Sequence, residues 1–254
     1  MWQGKSLAVV LPTYNEKDSI AECIARFEAL PEIDKVIVVN NNAAQGTSEE
    51  VAKTGAIEII ETTQGYGAAI KRGLTDAGTD LIAICEPDGT FAPEDLTKLL
   101  AFLPECDVVI GSRTVSNFIW KGANMGWFLQ WGNWAVAKLI EVLYNTTYLS
   151  DVGCTFRVMT REHAQVILER SRLDGSAYGL EMLLISVITK ARMVQIPVNY
   201  LPRVGVSSVT GELGKTISLG TEMILLTFKM RLRARSIRRG LSTPKGPHRQ
   251  VRAS

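Results

Sequence analysis

Histidine is nearly missing from this chain: there are two, His163 on a polar helical stretch and His248 close to the C-terminus. Neither has neighbours at metal-ligand spacing, which argues against a histidine-built metal centre. The four cysteines, Cys23, Cys85, Cys106 and Cys154, are scattered without ligand or framework spacing. Cys23 and Cys85 fall in apolar helix and strand patterns, so they read as reduced core residues, as in the cytosol. No apolar run reaches the ~20 residues needed to cross a bilayer. Residues Thr216 to Met230 come nearest, but they are too few and include Glu222. A glycine-rich, lysine-bearing phosphate loop does not follow the first strand, which weighs against a nucleotidyltransferase. There is no internal repeat. The N-terminus enters a strand within a few residues, so no signal peptide is expected.

What is present points to one enzyme-sized body. With 254 residues, 46% hydrophobic and 21% charged, the chain can bury a substantial core. Strand-like runs recur at Lys5–Pro12, Asp34–Asn40, Ala56–Glu61, Leu81–Cys85 and Asp107–Arg113. Helical stretches Lys17–Leu30, Ser48–Thr54, Ala68–Ala77 and Pro93–Leu103 lie between them. Short β-branched runs alternating with helices predict an α/β fold with a mostly parallel sheet covered on both faces. A polar turn follows each strand, so these turns gather on one edge of the sheet, where open α/β sheets bind ligands.

The turn after the fourth strand is the most chemical. Leu81-Ile-Ala-Ile-Cys85 runs into Glu86-Pro87-Asp88. Proline cannot continue a ladder, so the strand ends there and presents both acids together. Two carboxylates so placed suit a hard divalent cation, Mg²⁺ or Mn²⁺, that also holds a phosphate.

The ordered set Pro12-Thr-Tyr-Asn-Glu16, Asn40 to Thr47, Gly65-Tyr-Gly67, Glu86-Pro-Asp88 and Gly111-Ser-Arg113 resembles glycosyltransferase family 2. Asp151-Val-Gly-Cys-Thr-Phe-Arg157 and Arg203-Val-Gly-Val-Ser-Ser208, with Gly-Ser-Arg, are similar to the polyprenyl-phosphate branch that includes dolichyl-phosphate mannose synthase. The resemblance spans roughly residues 5 to 210. It implies a Rossmann-like A-type glycosyltransferase domain over 1–212, binding a UDP- or GDP-linked sugar. It implies a donor site of Pro12, Tyr14, Glu16, Asn40, Asn41, Gly65, Gly67, Glu86 and Arg203. Asp88 and Glu86 are the implied metal ligands, and Arg113 and Arg203 match phosphate-binding arginines. Direct displacement would invert the anomeric centre. Two departures stand out. Asn40 and Asn41 replace the family's aspartates, one of which helps hold the base, and Glu86 replaces the usual first Asp of the metal motif.

The acceptor decides whether a base is needed. A sugar hydroxyl requires a carboxylate to take its proton. A lipid phosphate is already ionised near neutral pH and requires cations instead. The late carboxylates are Asp151, read as catalytic or as a turn anchor, and Glu181, a base or a helix-start acid. Arg157 reads as a further phosphate-binding arginine or as a structural partner of an acid. Arg113 and Lys121 are the candidate acceptor-binding cations. These readings favour transfer to a polyprenyl phosphate. The alternatives are a small hydroxylated or glycan acceptor, or an inactive nucleotide-sugar-binding protein.

Charge is asymmetric. Residues 229–254 hold nine Lys or Arg and no acid, leaving 19 basic against 26 acidic elsewhere. A basic end on an acidic body suits an anionic surface, here a membrane rather than nucleic acid. Four of the five tryptophans, Trp120, Trp127, Trp131 and Trp134, fall between residues 120 and 144. On a helix, Phe128, Trp131, Ala135, Leu139 and Val142 share one stripe. Tryptophan favours the headgroup zone. These features predict helices lying in the membrane interface at the cytoplasmic face, with 213–236 a basic amphipathic helix and 237–254 a disordered tail.

Overall fold

The computed structural model describes residues 1–123, 127–146, 149–205 and 213–239, without the side chains of 127–129 and 213–217. Seven strands form one sheet: β1 (Leu7–Thr13), β2 (Lys35–Asn40), β3 (Ile57–Ile60), β4 (Leu81–Ile84), β5 (Val108–Ser112), β6 (Arg157–Thr160) and β7 (Met193–Pro197). Their order is β3-β2-β1-β4-β6-β5-β7. All pairings are parallel except those of β6, which runs antiparallel to β4 and β5. The first five strands match the expected runs. β6 and β7 carry no comparable signal, because β6 is four residues long and starts on an arginine.

The helices are α1 (Lys17–Glu28), α2 (Thr47–Val51), α3 (Tyr66–Asp76), α4 (Leu96–Phe102), α5 (Trp127–Tyr144), α6 (Arg161–Arg170), α7 (Tyr178–Thr189) and α8 (Leu213–Arg238). Apolar spacing drives the packing: Ile20, Cys23, Ile24 and Phe27 form the buried face of α1. α7 is buried all round, as its near-continuous apolar sequence requires. All four cysteines are free.

Pro12 does not end the first strand; β1 continues through Thr13, with Pro12 opposite Val39 of β2. The reason is local. Val10 accepts from Cys85 N, so alternate residues of β1 face β4. β4 pairing stops at Val10, and two residues later the missing proline N–H points where no partner strand remains.

His163 lies on the polar helix α6, as expected, but on its buried face. It is buried, with Nε2 2.8 Å from Ser186 Oγ. Burial depresses its pKa from 6.5 to about 4, against the pull of Asp107 and with a small push from Arg157. The unfolded chain therefore binds more protons between those values. Stability is expected to fall as pH drops from 6.5 toward 4, by roughly 3 kcal/mol from this group. Urea unfolding of the wild type and His163→Gln across that range checks it; the variant should lose that part of the slope.

Candidate active site

The loops after β1, β2, β4 and β5 converge on the carboxyl edge of the sheet. Because β6 is antiparallel, the segment leading into it arrives at the same edge. Together with the starts of α3 and α7 they enclose a cavity of about 370 Å³. Pro12, Tyr14, Glu16, Asn41, Glu86, Arg113 and Arg203 all line it.

Asp88 lies just beneath that wall, 1% exposed. Its Oδ1 accepts from Thr90 N at 2.9 Å and Thr90 Oγ1 at 2.5 Å. Its Oδ2 makes no hydrogen bond and has the Arg203 guanidinium beside it. Arg203 Nη2 also lies 3.5 Å from Glu86 Oε2. Burial, with Asp88 adding repulsion, pushes the Glu86 carboxyl up to about 7. A buried carboxylate oxygen whose one neighbour is a guanidinium, next to a second carboxylate at the cavity wall, fits a hard cation. No cluster of three or more ligating side chains exists among the described residues. The protein would thus supply Asp88 and Glu86, leaving other coordination positions to phosphate and water.

Arg113 is held in place from below. Its Nε and Nη2 donate to Asp151 Oδ2 and Oδ1 at 2.8 and 3.0 Å, and its backbone N to Oδ2 at 2.9 Å. Gly153 N donates to Oδ1 at 2.9 Å. The guanidinium carbon lies 5.4 Å from the centre of the Tyr200 ring. Burial alone would raise the Asp151 pKa, but the Arg113 charge and these bonds hold it below the ordinary value. A fully buried, fully bonded carboxylate of depressed pKa is a poor proton acceptor. This corrects its reading as a base: Asp151 positions Arg113. Gln195 of β7 completes the support, accepting from Ser150 N and Asp151 N and donating to Asp151 O at 2.5 Å. Nothing local in the sequence marks Gln195 for this role.

Other expected site residues do structural work. Glu181 is buried and accepts from Arg172 N and Leu173 N, so it caps the preceding turn and is not a base. Asn40 binds Ser48, Glu58 and Ala43 N on the β3 side, outside the cavity lining. Asn41 stays at the cavity; its Oδ1 accepts from Gly65 N at 2.8 Å and its Nδ2 donates to Glu61 O and Thr63 O. Gly65 and Gly67 admit the segment before α7 rather than a ligand. Asp174 O accepts from Gly67 N at 2.7 Å, and a Cβ on Gly67 would sit 2.8 Å from the Tyr178 side chain. Lys121 is exposed and does not line the cavity. Glu16 accepts from Tyr14 N and Asn15 N at 2.7 and 2.8 Å, fixing the first loop. Arg157 has no acid partner among the described residues; it donates to the carbonyls of Cys154 and Gly179.

Several lining residues escaped the sequence reading: Gln64, Asn133, Thr155, Tyr200, Leu219 and Met223. Tyr66 Oη and Thr155 Oγ1 are buried side by side at this wall and interact with each other. Asn133 comes from α5, and Leu219 and Met223 from α8, so helices distant in sequence close one side. Only the chain's folding back could reveal that.

An α/β sheet with its acid turn, fixed arginines and cavity on one edge defines an A-type nucleotide-sugar glycosyltransferase domain. Residues 8–168 match the model of Glycosyl transferase family 2, and the chain belongs to that family. An uncharacterized glycosyltransferase of Mycobacterium tuberculosis is 31% identical over 218 residues, 84% of this chain and 94% of that protein. Undecaprenyl-phosphate mannosyltransferase of Micrococcus luteus is 26% identical over 214 residues, 80% of this chain and 86% of that protein. Polyprenol monophosphomannose synthase of Mycolicibacterium smegmatis is 26% identical over 226 residues, 80% of each chain. The resemblance to the polyprenyl-phosphate branch is thus carried by whole-domain similarity. Among solved structures, glucosyl-3-phosphoglycerate synthase of Mycobacterium tuberculosis, crystallised with Mn²⁺, UDP and glucosyl-3-phosphoglycerate, shares the fold. The TM-score is 0.66 at 17% identity, covering 90% of this chain and 80% of that one. The protein is a glycosyltransferase.

Proposed function

We propose that this enzyme transfers one sugar from a UDP- or GDP-linked donor to a polyprenyl phosphate, at the cytoplasmic surface of a membrane. The observation that carries the reading is the lack of a spare base. Among the described residues, the cavity-lining carboxylates are Glu16 and Glu86. Glu16 is spent on its own loop, and Glu86 belongs with Asp88 in the cation set. Asp151 is locked under Arg113. Among the described residues no cavity carboxylate is then left to take a hydroxyl acceptor's proton, whereas an ionised phosphate needs no base.

In this reading the acceptor phosphate oxygen attacks the anomeric carbon as the bond to the donor diphosphate breaks. The electron pair leaves on the diphosphate, and single displacement inverts the anomeric centre. Arg113, held rigid by Asp151, supplies a fixed positive charge suited to phosphate oxygens. Asn41, Gln64 and Tyr66 line the part of the cavity nearest the β2 end and suit the nucleoside. Mg²⁺ or Mn²⁺ on Asp88 and Glu86 would stabilise the charge on the leaving diphosphate.

The membrane surface is supported by what α5 and α8 leave uncovered. α5 turns Val136, Ala137 and Ile140 inward, with Trp131 60% and Val142 81% exposed on its opposite side. The expected Trp131–Val142 stripe is therefore the outward face; Trp127 and Phe128 lie outside the described side chains. α8 buries Leu226, Met230, Ala234 and Ile237 and exposes Leu225, Phe228 and Leu232, the last 87%. Lys229, Arg231 and Arg235 flank that apolar strip. No described helix is long and apolar enough to cross a membrane. Two packed helices with apolar outward faces and basic flanks suit insertion into the headgroup zone. Leu219 and Met223 of α8 join this face to the cavity, offering the first isoprene units an apolar wall.

Labelled UDP- and GDP-sugars incubated with vesicles containing undecaprenyl or dolichyl phosphate, with Mg²⁺ or Mn²⁺, test the activity. The expected product is metal-dependent label extracted into organic solvent. Label found only in a water-soluble product across the donor panel would overturn the lipid acceptor. For the surface, Leu225→Ser/Phe228→Ser/Leu232→Ser should cut vesicle binding about tenfold or more at unchanged fold, since each exposed side chain contributes ~1.5 kcal/mol or more when buried in lipid. Equal binding by the triple variant would remove α8 from the interface.

A further inference from the structure

A second cavity, of about 270 Å³, lies where the end of α6 meets the end of α8. Arg170 and Arg172 approach from one side, and Arg233, Ser236 and Arg239 from the other. Glu169 is the single acid at its rim. Its side chain is 68% exposed and pairs with Arg170 Nη1 at 2.5 Å. Arg170 itself is 12% exposed and fixed by a 3.0 Å bond from Nε to Ile237 O.

The other three guanidiniums have no carboxylate partner among the described residues. Arg172 uses its backbone N–H, not its side chain, on Glu181. Arg233 Nη1 lies 3.7 Å from Met230 Sδ. Outside the described residues the only acidic side chain is Glu212, and none follows it to the C-terminus except within α8 at Glu222. Four like charges around one cavity repel each other, and one solvent-facing acid does not balance them.

We propose that this cavity is a second phosphate-binding site, separate from the catalytic one, that takes a phosphate monoester. Such a group is close to dianionic at neutral pH and offers three acceptor oxygens. Those oxygens match guanidinium forks better than a phosphodiester's single charge. Ser236 adds a hydroxyl donor. The phosphate is either the headgroup of an anionic lipid or a soluble phosphate. Arg233 and Ser236 lie on α8 within a turn of Leu232, so a headgroup source would place the site at the level of the outward apolar strip. The proposal stands on the arginine cluster and does not rest on the sugar acceptor.

The test uses the full chain and needs no turnover. Inorganic phosphate is titrated by calorimetry into the wild type, Arg172→Gln/Arg233→Gln, and the equal-charge control Arg231→Gln/Arg235→Gln outside the cavity. The first pair should weaken one class of saturable binding about tenfold or more, as expected for two charge-assisted contacts, and the control should retain it. Arg172→Gln alone, at an exposed side chain, guards against misfolding and should give a smaller loss in the same direction. In parallel, flotation with phosphatidylcholine vesicles carrying phosphatidic acid or phosphatidylglycerol separates the sources. A phosphatidic acid preference that vanishes in Arg172→Gln/Arg233→Gln assigns a lipid headgroup. Saturable inorganic phosphate binding without that preference assigns a soluble phosphate. Binding unchanged by the cavity pair, or lowered equally by the control pair, overturns the site.

Discussion

Asp88→Asn is expected to lower sugar transfer about a thousandfold or more while the protein stays folded. Removing one charged group that stabilises a developing negative charge in a water-poor site typically has an effect of that order. The bond pattern explains why the fold survives. Oδ1 holds Thr90 N and Oγ1, and an asparagine carbonyl can accept the same bonds. Oδ2 accepts no hydrogen bond but pairs with the Arg203 guanidinium, so its replacement by an amide removes a cation ligand and one surface-side ion pair while the Thr90 bonds that hold the turn remain. Arg203 then loses its main charge partner and keeps only Glu86 at 3.5 Å. Turnover with saturating Mn²⁺, together with Mn²⁺ binding measured by calorimetry, checks both halves. An Asp88→Asn enzyme of normal kcat would remove the acid turn from the chemistry.

Asp151→Ala should instead cost stability first, on the order of 3–5 kcal/mol, as when one partner of a buried ion pair is removed. Three donors on Arg113 and one on Gly153 lose their acceptor together, and the arginine side chain is only 15% exposed. Urea unfolding measures that loss. Activity should fall as well, because an unfixed Arg113 no longer presents its charge at a constant place. Two profiles separate anchoring from base catalysis. If Asp151 is the anchor, the residual activity of Asp151→Asn keeps the pH dependence of the wild type. Loss of an ionisation from the pH–rate profile, at unchanged stability, would restore Asp151 as a base.

Much of the site was legible because strand ends are written locally. Apolar β-branched runs located β1 to β5, and the polar turns after them had to share an edge once the strands were parallel. That placed Tyr14, Glu16, Asn41, Glu86 and Arg113 around one space without reference to any long-range contact. Arg203 was found by motif order alone. Asp151 and Glu181 stayed open between base and structural acid, because a carboxylate's role depends on its partners, and the sequence does not show that these are Arg113 N, Arg172 N and Leu173 N. Gly65 and Gly67 were implied as donor-site glycines, but the group that approaches them is the backbone at Asp174.

The sequence by itself determined the parallel half of the sheet, the acid turn and the apolar periodicity of its helices, since hydrophobic spacing and proline geometry act over a few residues. Tertiary structure alone decided which carboxylates are spent, where β6 inserts, and which sides of α5 and α8 face outward. Those depend on burial and on charge pairing between segments far apart in the chain, and such energies exist only once the chain has closed on itself.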